Sequence, residues 1–307
     1  MGTPEYGRAS LKALVDAGYD VVGVFTQPDK PKGRGKKLAF SPVKEYALEK
    51  GIDVFQPLRV KKDGVEALRT LEPDLCVTAA FGQILSQEIL DIPRLGTVNV
   101  HASLLPKYRG SSPVQWCIMK GEKVTGVTTM LTDAGIDTGK MLLKRECEIL
   151  ENERSDSLLE RLSVIGAELL IETLEKLEKG ELCPLEQDEN EMSYYPMIKK
   201  ELGEILWTET SGEIIGKIHG LYPWPCASTN SANGRLKLLK AHVERKIRGE
   251  AGRVLCADCK KGLLVGTADG AVWIDEVQAE GGKQMNAKDY LRGHSFKEGS
   301  NIQGEGL

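Results

Sequence analysis

The chain has 307 residues, 41% hydrophobic and 28% charged, with a formal net charge of −4. That length fits two domains better than one, and no apolar run approaches the roughly 18–20 residues a membrane-spanning helix needs, so no membrane partner is expected. So small a net charge excludes bulk-field attraction of nucleic acid and leaves that role to a local patch. Seven scattered cysteines, an odd number, argue for a reducing compartment rather than a disulfide framework. Cys256-Ala-Asp-Cys259 has no second pair to complete a zinc site, so no metal is expected.

Residues 1–186 alternate β-rich runs with helical ones. Strands are expected at Val21–Thr26, Val54–Gln56, Leu75–Ala79 and Thr97–His101, followed by a returning pair at Val127–Leu131 and Met141–Cys147. Ser10 is expected to cap a helix that stops at Gly18. Ser41-Pro42 opens one that stops at Gly51, and Ser112-Pro113 one that stops at Gly121. The longest helix spans about 157–179, where Leu158, Leu162, Ile165, Leu169 and Leu174 recur at helical spacing. This alternation implies an α/β fold with a doubly wound, mostly parallel, Rossmann-like sheet. Such domains normally begin with a central strand, and none precedes the first helix here, so the domain is expected to lack it.

Residues 187–206 are polar and aperiodic and read as a linker. Residues 207–307 carry a short helix, Ser211–His219, and strands at Leu236–Val243, Gly252–Leu255, Leu263–Thr267 and Ala271–Val277. Asp269-Gly270 is a hairpin signal. The pattern suggests a small OB-like β-barrel.

Two segments carry chemistry. The first is Asp29–Lys37, where Lys30, Lys32, Arg34, Lys36 and Lys37 crowd between glycines just after a strand. Such a segment suits a phosphate-rich partner, though a solvated surface loop has the same composition. The second is Asn99-Val-His101. Residues two apart on a strand share a face, and Asn with a cationic His can stabilise an oxyanion while a nearby Asp holds the charge or takes a proton. A core histidine with an Asn neighbour reads the same way in isolation. A serine hydrolase and a nicotinamide enzyme are both disfavoured, since neither a Gly-x-Ser-x-Gly elbow nor a strand-linked Gly-x-Gly-x-x-Gly occurs.

Asn99, His101, Ser103, Leu104, Leu105 and Pro106, then Arg109-Gly110, then Asp137 and Gly139, match element by element the signature Asn-x-His-x-Ser-Leu-Leu-Pro, Arg-Gly, Asp-x-Gly. The chain thereby resembles the formyltransferases that use 10-formyltetrahydrofolate. The resemblance implies direct formyl transfer to an amine, with Asn99, His101 and Asp137 as the catalytic trio. It makes Ser103, Leu104, Leu105 and Pro106 the folate-contacting turn. Phe81, Ile84 and Leu85 either add pterin contacts or belong to the core.

The signature does not choose the acceptor. The basic segment, continued through Leu38-Ala-Phe-Ser-Pro-Val43, resembles the inserted loop of the members that formylate methionyl-tRNA. That implies contact of Lys30, Lys32, Arg34, Lys36 and Lys37 with the acceptor end of initiator methionyl-tRNA; Gly262–Gly270 and Lys283–Gly293 resemble the same members and imply a role for 207–307 in tRNA binding. It also implies a monomer at work in translation initiation, in a bacterial cytoplasm or an organelle. Relatives acting on a nucleotide sugar, on glycinamide ribonucleotide or on water are the alternatives, and a silent RNA-binding protein is one of a different class.

Overall fold

A computed structural model describes residues 1–32 and 37–304; Arg34 and Lys36 lie outside the described residues. In chain order the strands are β1 (Val24–Phe25), β2 (Lys30–Lys32), β3 (Lys37–Ala39), β4 (Val54–Phe55), β5 (Cys76–Thr78), β6 (Thr97–His101), β7 (Val124–Leu131), β8 (Met141–Glu148), β9 (Ala227–Ser231), β10 (Gly234–Glu244), β11 (Val254–Asp258), β12 (Gly262–Gly266), β13 (Ala271–Ala279) and β14 (Met285–Asn286). The helices are α1 (Glu5–Asp16), α2 (Pro42–Glu49), α3 (Val60–Asp63), α4 (Val65–Thr70), α5 (Gln87–Leu90), α6 (Pro113–Met119), α7 (Ser155–Glu178), α8 (Ser211–Gly220) and α9 (Ala287–Tyr290). The chain divides into two compact units. One comprises Met1–Pro113, Val124–Glu148 and Leu159–Pro196; the other comprises Val114–Lys123, Ile149–Leu158 and Met197–Leu307. No helix among the described residues is long and apolar enough to cross a membrane.

The first unit is α/β. Strands β5, β6, β7 and β8 are neighbours in that order, β5 parallel to β6 and the rest antiparallel; β1 and β4 form a separate parallel pair. Successive residues of β1 face opposite sides. Val24 joins Leu11, Val43, Tyr46 and Ala47 beneath α1 and α2, while Phe25 joins Val60, Leu68, Cys76, Phe81, Leu85 and Ile89 beneath α3, α4 and α5. Helices on both faces are the doubly wound arrangement. Strand β6 spans the residues expected of it and is hydrogen-bonded on both sides, with Val98 and Val100 buried.

Three local readings are corrected. Helix α1 starts at Glu5 behind Pro4, not at Ser10. Ser10 is buried inside the helix, its hydroxyl donating back to the Tyr6 carbonyl (3.4 Å), an outlet a mid-helix serine commonly takes. The strand expected over Val21–Thr26 shrinks to Val24–Phe25, because its ladder with β4 is two residues long. The basic segment, read as a loop, begins and ends as an antiparallel pair, Lys30–Lys32 against Lys37–Ala39. Helix α2 begins as expected: Pro42 opens it and the Ser41 hydroxyl accepts the Lys44 N–H at 3.1 Å.

The second unit is built on an antiparallel sheet ordered β11-β12-β13-β10-β9, with β14 on β13; β9 and β14 carried no sequence signal. The sheet suits an OB-like fold, although its outer strands β9 and β11 do not pair with each other among the described residues. Its core gathers Ile214 and Ile218 of α8 with Leu236, Leu238, Val254, Leu263, Val265, Val272 and Ile274. Thr210 and Glu213 form a reciprocal capping box at the start of α8.

His219, near the end of α8, is buried and accepts the Ala241 N–H at 3.5 Å. Burial lowers its pKa to about 4. Above about 6.5, the value of an unfolded histidine, both states are neutral and His219 adds no pH dependence. Between about 6.5 and 4 only the unfolded chain takes up the proton, so stability falls as pH falls. Denaturant unfolding is expected to give about 2 kcal/mol less from this group at pH 5 than at pH 7. His219→Gln should flatten that part of the profile; an unchanged slope would assign the loss to other groups.

Candidate active site

The strand ladder brings Thr78 of β5 directly opposite Asn99 of β6. The Thr78 hydroxyl donates to Asn99 Oδ1 at 2.9 Å. With its oxygen so held, the Asn99 amide leaves its N–H groups free to donate. His101 follows on the same face and is buried, its Nε2 against the Tyr108 carbonyl at 3.0 Å. A carbonyl only accepts, so Nε2 carries the proton and Nδ1 is the nitrogen that can react. Nδ1 looks toward Asp137 Oδ1 at 3.6 Å. That separation is electrostatically close yet longer than a hydrogen bond, leaving Nδ1 unsaturated. His101 and Asp137 thus stand together with Asn99 on the same strand face; Asn99 Nδ2 is an available donor, and His101 Nδ1 donates only when the imidazole is protonated.

Asp137 sits at a φ of +54°, a left-handed conformation uncommon for a residue other than glycine, and its surroundings hold it there. The Gly110 N–H donates to Asp137 Oδ2 at 2.9 Å. Gly110 itself has φ +112° and a Cβ there would lie 2.3 Å from the Tyr195 carbonyl, so glycine is required. Gln187 Nε2 donates to the carbonyls of Asp137 and Gly139, both at 2.8 Å, and Gln187 Oε1 accepts Arg109 Nε–H at 2.9 Å. Arg109 is buried, and its guanidinium reaches Glu189 at 2.7 and 3.2 Å.

A half-buried Asn amide beside a His–Asp pair, with no nucleophilic side chain among them, fits transfer of an acyl group directly to an incoming nucleophile. The family model for formyl transferase matches residues 1–174, and the model for the formyl transferase C-terminal domain matches residues 197–295. The chain belongs to the formyl transferase family.

Among its relatives, the methionyl-tRNA formyltransferase of Ruminiclostridium cellulolyticum is 46% identical over 306 residues, covering 98% of each chain. That of Caldanaerobacter subterraneus subsp. tengcongensis is 48% identical over 303 residues, covering 98% of this chain and 97% of its own. Among solved structures, HypX from Aquifex aeolicus in complex with tetrahydrofolic acid is 25% identical with a TM-score of 0.59; the match covers 80% of this chain but only 43% of HypX.

Other expected site residues of this formyltransferase are placed as follows. In the Ser103–Pro106 turn, the Ser103 hydroxyl is buried and donates to the Lys107 carbonyl at 2.7 Å, so it braces the turn rather than pointing outward. The Thr128 hydroxyl donates to the Ser103 carbonyl and accepts the Leu105 N–H. Leu105 is fully buried beside Met130 and Met141, while Leu104 is half-buried. Phe81 and Leu85 belong to the core beneath α3, α4 and α5, whereas Ile84 is 68% exposed and free to meet a ligand. Lys30 is exposed on the basic hairpin, and the backbones of Lys32 and Lys37 pair with each other. The base of that hairpin is tied down: Lys44 Nζ reaches Asp29 Oδ2 (2.6 Å) and Gln56 Oε1 (2.7 Å), and Gln56 Nε2 donates to Asp29 Oδ1 (2.9 Å).

Sequence reasoning did not single out Thr78, Arg109 as a clamp, or Gln187. Thr78 was within reach, as a polar residue in the strand expected over Leu75–Ala79. Gln187 stood in an aperiodic polar stretch and gave no signal. It is a positioning residue, and Gln187→Leu is expected to lower kcat about 10- to 100-fold through a displaced Asp137 loop while leaving the folate KM near its original value. Steady-state kinetics check this; a kcat within about twofold of the parent would remove Gln187 from that role.

Proposed function

We propose that this formyltransferase moves the formyl group of 10-formyltetrahydrofolate to the α-amine of methionyl initiator tRNA, the reaction that prepares that tRNA for translation initiation. The observation that carries the reading is the His101–Asp137 pair on the strand face that presents the free Asn99 amide N–H, in a chain whose relatives over nearly its full length are methionyl-tRNA formyltransferases.

On this reading the amine attacks the formyl carbon directly. A tetrahedral oxyanion forms; the Asn99 N–H and the Nδ1–H of protonated His101 stabilise it. The Asp137 carboxylate favours the charged form of His101 and helps take the proton the amine sheds. Collapse breaks the bond to N10 of the folate, and N10 recovers a proton. Ser103, Leu104, Leu105 and Pro106 shape the folate turn, with Ile84 as an exposed apolar contact; Phe81 and Leu85 act by packing beneath it. Residues 1–186 supply the reacting groups, 187–206 connect while Gln187 and Glu189 brace the site, and 207–307 contact tRNA. One chain supplies the whole trio, which suits a monomer. The need for charged tRNA and the bacterial relatives favour the bacterial cytoplasm.

Lys30, Lys32, Arg34, Lys36 and Lys37 are assigned to tRNA phosphates. Charge neutralisation releases counterions, so affinity should fall as salt rises, with a slope set by the number of phosphates met. Replacing Lys36 and Lys37 by Ala should weaken tRNA binding and make the log–log salt slope shallower by about one to two. Binding isotherms at several salt concentrations test this; an unchanged slope would take the segment away from phosphate.

A further inference from the structure

Residues 193–195 run alongside 108–110 as a strap. The Arg109 N–H donates to the Ser193 carbonyl (2.9 Å) and the Tyr195 N–H donates to the Arg109 carbonyl (3.0 Å), with Arg109 and Tyr194 paired in the parallel sense. The rings of Tyr108 and Tyr195 stack with centroids 5.1 Å apart. Neither segment has a periodic pattern of its own; side by side they satisfy backbone groups that burial would otherwise leave unpaired.

Within the strap, Ser193 bears on one peptide in particular. Its hydroxyl accepts the Tyr108 N–H at 2.9 Å, and its own N–H donates to the Pro106 carbonyl at 3.4 Å. Together with the bond from Arg109, it therefore grips the chain before, at and after Tyr108. Tyr108 stands at φ +60°, a left-handed conformation that a bulky residue rarely adopts. Such a backbone persists only where its surroundings fix it. The carbonyl of this same residue is the group that meets His101 Nε2 at 3.0 Å.

That contact decides where the His101 proton sits. A neutral imidazole carries one N–H. Two acceptors face this ring: the Tyr108 carbonyl at Nε2, and the Asp137 carboxylate 3.6 Å from Nδ1. A carboxylate is the stronger acceptor of the two. The carbonyl keeps the proton because it lies within hydrogen-bond range and the carboxylate oxygen does not. A Tyr108 peptide free to turn would give up that advantage, and the proton would be drawn to the Nδ1 side.

We propose that Ser193 is a positioning residue for His101: by holding the Tyr108 peptide it keeps the proton on Nε2 and leaves Nδ1 open beside Asp137. The hold on the tautomer stands on this geometry; its kinetic consequence rests on the formyl-transfer reading above. Once a proton is committed between Nδ1 and Asp137, that nitrogen is lost both to the oxyanion and to the proton the amine sheds.

The test reads the imidazole directly. The chain has four histidines, so 15N-histidine labelling gives a simple imidazole spectrum, in which His101 is identified by its loss in His101→Gln. At about pH 8, above the ordinary histidine pKa, the parent is expected to show His101 as the Nε2–H tautomer. Ser193→Ala should turn that signal into a mixture with the Nδ1–H form and lower kcat about tenfold, with the folate KM within about twofold of the parent. Ser193→Thr, which keeps the hydroxyl, should restore both. An unchanged His101 tautomer in Ser193→Ala overturns the proposal whatever the kcat. Parallel changes at His219, His242 and His294 also overturn it, because they mark a general loosening. A changed tautomer with an unchanged kcat upholds the hold of Ser193 and contradicts instead the part given to His101 in the reaction. Should Ser193→Ala not fold, Ser193→Cys, whose thiol is a weak acceptor, is read against the same outcomes.

Discussion

Asp137→Asn is expected to lower turnover by about 100- to 10,000-fold, the range associated with a positioned acid or base, with little change in the folate KM. The substitution is nearly isosteric. Asparagine tolerates the left-handed backbone that Asp137 adopts at φ +54°, and its carbonyl oxygen can still accept the Gly110 N–H that now meets Oδ2 at 2.9 Å. What disappears is the negative charge 3.6 Å from His101 Nδ1. Because Nε2 is committed to the Tyr108 carbonyl, His101 has no second nitrogen with which to compensate. A loss confined to kcat marks an interaction made in the transition state; near-normal turnover would remove Asp137 from the chemistry.

Asn99→Ala is expected to lower kcat by about 100- to 1,000-fold, the usual cost of one oxyanion donor. Asn99→Asp should be worse, because it puts an acceptor and a negative charge where the oxyanion develops. Thr78 supplies an internal control. Its hydroxyl orients the Asn99 amide without reaching the reacting atoms, so Thr78→Val should cost less, about tenfold, and should cost almost nothing more once Asn99 is Ala, since residues acting as a unit are not additive. If the two losses simply multiply, Thr78 acts by some route other than Asn99.

The legible parts of the molecule are those where local chemistry and tertiary packing agree. Strand β6 was readable to the residue because its apolar positions are buried between two hydrogen-bonded neighbours. Helix α2 was readable because Ser41 and Pro42 are used as capping chemistry dictates. Helix α1 was misread because Ser10 looks like a cap while its hydroxyl is satisfied within the helix. The β2–β3 pair was missed because lysine-rich segments have weak strand preference and pairing depends on the partner segment. In the site, the strand spacing of Asn99 and His101 announced their shared face, and the motif placed Asp137. The groups that hold them did not show, because Thr78, Arg109, Gln187 and the Tyr108 carbonyl are brought in by the fold from positions as much as 88 residues from Asn99.

The most direct measurement is formyl transfer from 10-formyltetrahydrofolate in a mixture of methionyl initiator tRNA, glycinamide ribonucleotide and water, with products resolved by acceptor. Formyl-methionyl-tRNA is expected as the main product, lost in Asp137→Asn and Asn99→Ala and suppressed by salt. Formylated glycinamide ribonucleotide, or folate turnover that proceeds equally without tRNA, would contradict it.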